Sequence, residues 1–422
     1  MREVAEAKAA VVAAEREHDE CQEALARYRE QLGASLPDDE WLEDRRAREL
    51  RAPWSDNEWN EARSELFLAA LALHKAFLVH AARPMRESLD GAMELLSGNA
   101  PSDLSADAAL AAWQALFLLV PVISTTFASV ARLLGPLGPE ALGWLLVDEA
   151  GQATPQNVVG ALWRSRRAVI VGDPLQLEPI TTIPFQAEQA IREHYGVGEE
   201  WLTGRGSVQS LADRLNRLGT SLPGPEGPVW VGAPLSVHRR CDHPMFDISN
   251  EIAYDGLMVD ATDPALAEAF AERYPTLPQS KWIDVRSDAS RGHWIPAEGE
   301  EVDRILAHLG KIGFSFSQVM AIAPFRDVAT QLSERASSHS GLRAGTIHTA
   351  QGKEADIVIL VLGSDPSREG ARAWAASRPN LLNVAVSRAK RRLYVIGDRE
   401  AWMGQRYFDL LADRLPHDGS RI

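Results

Sequence analysis

The sequence predicts a mixed α/β fold in which parallel-sheet domains follow a helical N-terminal region. Residues 2–32 are rich in Ala, Glu and Arg and contain no Gly or Pro, a composition with high helix propensity. From about residue 105, short runs that are apolar throughout alternate with helical segments. Uniformly apolar strands are buried on both faces, and strands that alternate with helices build parallel sheets.

Residues 1–104 are predicted to be entirely helical. The stretches SLPDDEW and PWSDNEW interrupt the helical pattern, and both contain residues suited to an N-cap. The following SELFLAALALHKAFLVHAARPMRESLDGAMELL predicts one or two more helices. We favour a plain helical scaffold for this region over an antiparallel stalk.

The rest of the chain is predicted to form two α/β domains, at residues 105–232 and 233–422. The boundary lies in GTSLPGPEGPVWVGAP, residues 219–234, whose Pro and Gly content is typical of a linker. The predicted strands are LVPVISTTF, GWLLVDEA, RAVIVGD, VMAIAPF, ADIVILVLG and RRLYVIGD.

Charge and cysteine usage limit the possible functions. The net charge of −15 argues against a protein whose whole surface contacts nucleic acid, but a local basic groove needs only a few positioned cations. Basic clusters occur at residues 164–167, 238–240 and 387–392. The alternative to a phosphate-binding role is that each cluster is simply part of the solvated surface. The apolar runs are too short to span a bilayer, the N-terminus lacks a secretory pattern, and two distant cysteines predict the reducing cytoplasm.

An acidic pair, Asp148 and Glu149, directly follows the apolar run WLLV. In open parallel sheets ligands bind beyond the carboxyl ends of strands. An Asp at that position can hold Mg²⁺, and the following Glu could polarise a water for attack on a terminal phosphate. By itself the pattern is weak, since strand-end acids are often simply solvated.

A second strand end carries VGDPLQLEP, in which Gln176 could sense a γ-phosphate or orient the attacking water. Alone, this segment would be interpreted as a polar turn made by Gly172, Asp173 and Pro174.

Together these segments resemble superfamily 1 DNA and RNA helicases, and more closely the branch of the nonsense-mediated-decay helicase and its bacterial relatives. The resemblance implies tandem RecA-like parallel-sheet domains. The matching segments, in chain order, are VISTTFASVARLL for segment Ic, VDEAGQATP for motif II, GDPLQLEP for motif III, LSVHRRCDHPMFDISNEIAYDGLM for motif IV, AGTIHTAQGKEADIVILVLG for motif V and NLLNVAVSRAKRRLYVIGD for motif VI.

The resemblance implies roles for the matching residues in a site for ATP and Mg²⁺. Asp148 would coordinate Mg²⁺, Glu149 would be the general base and Gln176 would report the γ-phosphate. Arg240 and Arg388 would be arginine fingers, a role that suits a permanently charged planar fork.

Motif V implies further contacts. In QGKE, Gly352, Lys353 and Glu354 would bind nucleotide, with Gly352 near the γ-phosphate and Glu354 near the ribose. Thr125, Thr346 and His348 are candidates for contacting the backbone of single-stranded DNA or RNA.

Motif IV departs from the family at HRRCDHP, where Asp242 separates the Cys from His-Pro. The departure leaves Arg239 and Arg240 as alternatives for the finger, of which we favour Arg240.

The second departure is larger, because the family's Gly-rich loop GxxxxGK[ST] does not occur in the sequence. Of the six lysines, only Lys311 and Lys353 follow a glycine, and neither is followed by Ser or Thr. This loop cradles the β- and γ-phosphates and precedes the other motifs in the family. We therefore expect it upstream of residue 1, an incomplete first RecA-like domain, a complete second one, and a helical region that corresponds to an insertion of the first domain.

Two classes of function remain. The first is the C-terminal portion of an ATP-dependent helicase, inactive as an ATPase by itself, whose P-loop precedes this sequence or lies on a separate chain. The alternative is a non-ATPase module that binds nucleic acid or protein on a retired helicase scaffold. The retained acids, Gln176 and Arg388 favour the first.

Overall fold

The computed structural model describes residues 2–33, 36–51, 56–181, 183–203, 206–224, 227–350, 352–365 and 369–417. Contacts divide the chain into two compact units, Met1–Glu94 and Leu95–Ile422.

The first unit is helical in its described part, as predicted. Its helices, the last of which continues into the second unit, are α1 Arg2–Leu32, α2 Asp39–Glu43, α3 Arg45–Leu50, α4 Asn57–His80 and α5 Ala82–Ser97. The predicted N-caps are confirmed where the breaks are described, because the side chain of Asp38 caps α2 and that of Asp56 caps α4. Residues 35 and 53–55 of the predicted breaks lie outside the described residues. A capping carboxylate accepts hydrogen bonds from the first free N–H groups of a helix.

No single helix of the described residues is long and apolar enough to cross a membrane. Only the pair α4 and α5, which is bent by 93°, meets that criterion by length and composition.

The second unit is a mixed α/β structure with parallel sheets, which confirms the predicted fold class. Its helices are α6 Ala106–Leu119, α7 Phe127–Leu133, α8 Pro155–Trp163, α9 Phe185–Tyr195, α10 Val208–Asp213, α11 Met245–Ala253, α12 Pro264–Arg273, α13 Pro296–Lys311, α14 Arg326–Ala336, α15 Ile347–Ala350, α16 Glu369–Ala375, α17 Asn380–Ser387, α18 Arg399–Met403 and α19 Phe408–Arg414. Its strands are β1 Leu145–Val147, β2 Ala168–Ile170, β3 Gly219–Leu222, β4 Val229–Gly232, β5 Val237–His238, β6 Val259–Asp260, β7 Lys281–Asp284, β8 Val319–Ala323, β9 Arg343–Thr346, β10 Ala355–Val361 and β11 Ala389–Gly397.

Five parallel strands form the larger sheet, in the order β7-β11-β10-β8-β9. All five residues of β8 are buried, and so are all residues but one of β10. Apart from Asp356 of β10, these strands are apolar, as expected where helices cover both faces of a sheet. The main hydrophobic core of the chain lies around this sheet.

The smaller parallel sheet contains β1 and β2 and has one open face. Leu146 pairs with Val169 in register, and Trp144, Leu146, Val169 and Val171 are all exposed. Alternate residues of a strand point to the same side, so these side chains form an uncovered apolar surface, which we call the open face.

Two expectations of local structure were wrong. Residues 120–126, within the predicted strand LVPVISTTF, form neither strand nor helix, and Pro121 has no N–H to donate to a ladder. Residues 219–222 and 229–232 of the predicted linker instead pair as an antiparallel hairpin, β3 with β4.

The open face leads to a prediction about solution behaviour. An apolar surface of this kind promotes association, so we expect the chain to scatter light and to melt without a single cooperative monomeric transition. The double variant Leu146→Lys and Val169→Lys should reduce the scattering, because both side chains already face solvent. A cooperative monomeric melt of the unchanged chain would contradict this prediction.

A buried acid lies at the start of α13. The side chain of Glu298 is 1% exposed, and its Oε2 accepts a hydrogen bond of 2.8 Å from the N–H of Gly363. Burial raises the pKa of this carboxyl to about 8. Glu298 is therefore protonated at neutral pH in the folded protein and ionised in the unfolded chain.

This shift gives stability an inverted pH dependence at Glu298. Between the ordinary pKa of 4.5 and the folded value of about 8, the folded state holds the extra proton, so the contribution of Glu298 falls as pH rises. We expect Glu298→Gln to gain stability over the unchanged chain from pH 5 to pH 8, by on the order of a few kcal/mol. Urea unfolding at both pH values measures this difference. Glu300→Gln, on the same helix but with a 70% exposed side chain, should show no such trend.

Candidate active site

The acidic pair lies where β1 ends. Val147 is the last, buried residue of β1, and Asp148 is exposed directly after it. The Oδ1 of Asp148 accepts a hydrogen bond of 2.9 Å from the N–H of Glu149. Glu149 has a left-handed backbone, with φ of 54°, and its Oε2 accepts a hydrogen bond of 3.2 Å from Gln152. A non-glycine residue in this conformation is strained, and such strain is concentrated at functional sites.

The end of β2 lies against the same turn. A Cβ on Gly172 would stand 2.8 Å from the backbone nitrogen of Gly151 and 2.9 Å from that of Ala150. Only glycine allows this close approach of the two strand ends. The segment after β2 therefore begins directly beside the turn that holds Glu149.

Gln176 and Arg388 meet in this site, as the resemblance implies. The Nη2 of Arg388 donates to the Oε1 of Gln176 at 2.9 Å, and its Nη1 donates to the carbonyl oxygen of Lys353 at 3.2 Å. Arg388 is only 2% exposed. Burial, and then the charge of Arg240, lower its pKa, whereas the charge of Glu149 raises it.

The hydrogen bonds that Arg388 donates to described residues go to neutral oxygens, namely those of Gln176, Lys353, Val384 and Ser387. A buried guanidinium is costly when no anion compensates its charge. The arrangement is therefore suited to receiving an anionic ligand.

Arg240 occupies the outer side of the same site. Its Nε lies 2.8 Å from the Oε2 of Glu354, and both side chains are close to half exposed. Lys390 lies 3.5 Å from the other oxygen of Glu354. An exposed ion pair contributes only about 0–1 kcal/mol, so Arg240 can exchange this partner for a phosphate at little cost. Its effect on the Arg388 pKa favours Arg240 over Arg239 as the second arginine of the site.

The turn of motif V closes over Glu149. Gly352 has φ of +71°, a conformation that favours glycine, and its Cβ position lies 3.9 Å from the Oε1 of Glu149. Lys353 and Glu354 follow on the exposed side, before β10 begins. The structure thus brings together Glu149, the Gly352 turn and the Gln176–Arg388 pair.

The three predicted nucleic-acid contacts lie on two separate segments. Thr125 is exposed in the loop before α7. Thr346 ends β9, and its Oγ1 accepts a hydrogen bond of 3.3 Å from the N–H of Thr349. His348 is on α15, where desolvation and the charge of Arg326 lower its pKa, so its imidazole is mainly neutral at pH 7.

Sequence reasoning missed two residues that contact the site, the half-buried Tyr254 and the buried Asn383. It treated Asp173 only as a turn-maker, yet Asp173 accepts hydrogen bonds from Tyr254 and, at 3.0 Å, from Gln176. Tyr254 and Asp173 are 81 positions apart, and no local pattern indicates such a contact.

Comparison with known proteins agrees with this arrangement. Residues 112–183 match one family model described as an AAA domain, and residues 210–400 match a second model of that description. The chain is 28% identical over 262 residues to the DNA replication ATP-dependent helicase/nuclease DNA2 of Gallus gallus, covering 60% of this chain and 22% of that protein. It is 24% identical over 283 residues to the Regulator of nonsense transcripts 1 homolog of Drosophila melanogaster, covering 63% and 22%.

The chain contains superfamily 1 helicase-like domains. The first family model covers Asp148, Glu149 and Gln176, and the second covers Arg240 and Arg388. Among solved structures, this chain is similar to the arterivirus nonstructural protein 10 helicase with DNA, at 17% identity and a TM-score of 0.29, covering 62% of this chain and 41% of that one. The chain spans 22% of the length of each of these two curated relatives.

Proposed function

We propose that this chain supplies the hydrolytic half of an ATP site in a superfamily 1 helicase, which couples ATP hydrolysis to movement along single-stranded DNA or RNA. The observation that carries the proposal is the buried Arg388, which donates to Gln176 and to neutral oxygens beside the carboxylate of Glu149. A γ-phosphate at this position would add an anion in direct contact with the guanidinium, whose hydrogen bonds to described residues go to neutral oxygens.

The proposed mechanism gives each of these side chains one role in ATP hydrolysis. Glu149 would accept a proton from the attacking water, and Gln176 would orient that water against the γ-phosphate. Arg388 and Arg240 would stabilise the charge that develops on the phosphoryl oxygens.

Mg²⁺ is compatible with the donors present. The described residues contain no group of three or more His, Cys, Asp and Glu side chains that could hold a metal by themselves. Mg²⁺ in nucleotide sites is typically held by one or two carboxylates together with phosphates and water, and the exposed Asp148 is such a carboxylate. The bound ion would neutralise charge on the phosphates, with Asp148 as its protein ligand.

The phosphate-cradling half is proposed to come from polypeptide outside this sequence. In support, no GxxxxGK[ST] occurs in the 422 residues, and the open face of β1 and β2 is apolar and exposed. A strand carrying the P-loop would extend this sheet at an edge, and the helix that follows the P-loop would cover the open face. A preceding segment or a separate chain would serve equally.

Nucleic acid is proposed to contact Thr125, Thr346 and His348. Hydroxyl groups and a neutral imidazole can donate to phosphate oxygens without adding charge, which suits a chain with a net charge of −15. Titrating a labelled oligo(dT) and a labelled oligo(U) against the chain measures this contact. Thr346→Val and His348→Ala should weaken binding to both.

ATP hydrolysis by the chain alone tests the proposal. We expect background rates with and without single-stranded DNA or RNA, because the P-loop supplies phosphate contacts that the chain lacks. Hydrolysis that is stimulated by nucleic acid and abolished by Glu149→Gln would refute the assignment of only half a site. The complementary experiment uses a P-loop-joined chain, in which a strand–P-loop–helix segment of a superfamily 1 relative is fused ahead of residue 1.

A further inference from the structure

The segment after β2 packs into the core of the larger sheet. We call residues 173–178 the sensor loop. Two of its side chains, Leu175 and Leu177, are 2% and 6% exposed and belong to the core that surrounds the five-stranded sheet. The sensor loop is thus connected to the smaller sheet by the chain but packed with the larger one.

Helix α17 holds the backbone of the sensor loop. The Nδ2 of Asn383 donates to the carbonyl oxygen of Leu175 at 2.9 Å, and the Nδ2 of Asn380 donates to that of Gln176. Asn383 is fully buried. These two carbonyl groups have no partner in a regular strand or helix, and the asparagine side chains supply the hydrogen bonds that water would otherwise provide.

Asp173 is the acceptor at which the side-chain bonds converge. Its Oδ1 accepts from the N–H of Leu175 at 2.9 Å, and its Oδ2 accepts from the Nε2 of Gln176 at 3.0 Å and from the hydroxyl of Tyr254. The Tyr254 hydroxyl in turn accepts from the Nδ2 of Asn383 at 2.9 Å. Burial, followed by the charge of Asp173, raises the pKa of Tyr254, so its hydroxyl remains a donor.

The orientation of the Gln176 amide follows from this network. An amide group has one donor end and one acceptor end, and its hydrogen bonds decide which way it points. With Nε2 directed to Asp173, Oε1 faces the Nη2 of Arg388. The opposite orientation would place the Nε2 donor of Gln176 against the Nη2 donor of Arg388.

We propose that Tyr254 and Asn383 are positioning residues of the ATP site, which fix the Asp173 carboxylate and thereby direct the Gln176 amide oxygen to Arg388. The inference deepens the proposed function.

Nuclear magnetic resonance of the 422-residue chain labelled with ¹⁵N-glutamine tests the proposal without ATP. The side-chain amide signal of Gln176, assigned by its loss in Gln176→Glu, should be single and protected. In Tyr254→Phe, which keeps the ring, this signal should broaden or shift. Hydrogen exchange of the sensor loop should accelerate about tenfold, the factor expected for losing one hydrogen bond to a charged group.

Tyr274→Phe is the matched control. Tyr274 is also a half-buried tyrosine that packs on the same core, where its ring contacts Phe314. Its variant should leave the Gln176 signal and sensor-loop exchange unchanged. An equal effect of both variants would reduce Tyr254 to a general packing role and overturn the proposal.

A milder variant covers the case in which Tyr254→Phe does not fold. Ser249 donates from Oγ to the Oδ1 of Asn383 at 2.6 Å, so Ser249→Ala frees the Asn383 amide. It should change the Gln176 signal in the same direction but by less. An unaltered Gln176 signal in every folded variant would overturn the proposal. Because these signals are read without nucleotide, they remain informative even if the chain proves to have no role in ATP hydrolysis.

In the P-loop-joined chain, Tyr254→Phe should lower kcat about tenfold with little change in the KM for ATP, because orientation of Gln176 matters only as the water attacks. A change confined to KM would contradict a positioning role.

Discussion

Replacing Arg388 by alanine is expected to reduce ATP turnover of the P-loop-joined chain by about 10³-fold, the lower end of what an arginine finger contributes. The guanidinium is buried and donates to Gln176 at 2.9 Å, so its removal takes away both a charge at the phosphate and the partner of the sensing amide. Steady-state hydrolysis at saturating ATP and single-stranded nucleic acid measures the effect.

A second variant of Arg388 shows whether the planar guanidinium or merely a positive charge is needed, and a variant of Arg239 serves as the control. Arg388→Lys keeps a cation but cannot reproduce the bonds to Gln176 and Lys353 together, so we expect it to lose most of the activity as well. Arg239→Ala removes an exposed arginine next to Arg240 and should retain turnover. If Arg239→Ala were the more damaging change, the assignment of the fingers would be wrong.

Glu149→Gln is expected to lower turnover by about 10²- to 10⁴-fold, the usual contribution of a general base. The amide keeps the size of the side chain but cannot accept the proton of the attacking water. Nucleotide binding should persist, because the variant removes a group that acts on the water rather than on the phosphates. Fluorescent-nucleotide binding and hydrolysis, measured on the same preparation, separate the two effects.

Glu140→Gln is the matched control for this change. Glu140 also has a left-handed backbone, with φ of 56°, but it is exposed and precedes β1, whereas Glu149 follows that strand. Its variant should hydrolyse ATP like the unchanged protein. Comparable losses in both variants would indicate a backbone effect of glutamine in this conformation and would remove the case for Glu149 as the base.

The strands that sequence predicted correctly are those whose signal is local. VMAIAPF, ADIVILVLG and RRLYVIGD each contain a continuous apolar run of at least four residues because each lies inside a sheet covered on both faces, and they form β8, β10 and β11. By contrast, β7 contributes KWID, in which charged residues flank the apolar ones and mask the pattern. The hairpin of β3 and β4 was interpreted as a linker, since Gly and Pro content is the same in a turn and in a connection.

The residues of the candidate site likewise fall into those that local sequence motifs predict and those that they do not. Gln176 and Arg388 were predicted from motifs and do lie in hydrogen-bond contact. The partners that orient them could not be predicted, because the contact of Tyr254 with Asp173 depends on how α11 packs against the sensor loop. Such long-range packing leaves no spacing in the sequence. The division of the chain at residues 94 and 95 likewise reflects contact density rather than any composition shift.

The central claim is that this chain holds the base, the sensor and the fingers of an ATP site but needs a P-loop from elsewhere. ATP hydrolysis, compared between the chain alone and the P-loop-joined chain in the presence of single-stranded DNA or RNA, tests it most directly. The account predicts background turnover for the first and nucleic-acid-stimulated turnover for the second, lost on Glu149→Gln. A folded P-loop-joined chain that binds ATP but does not hydrolyse it would contradict the claim and favour a nucleic-acid- or protein-binding module on a retired scaffold.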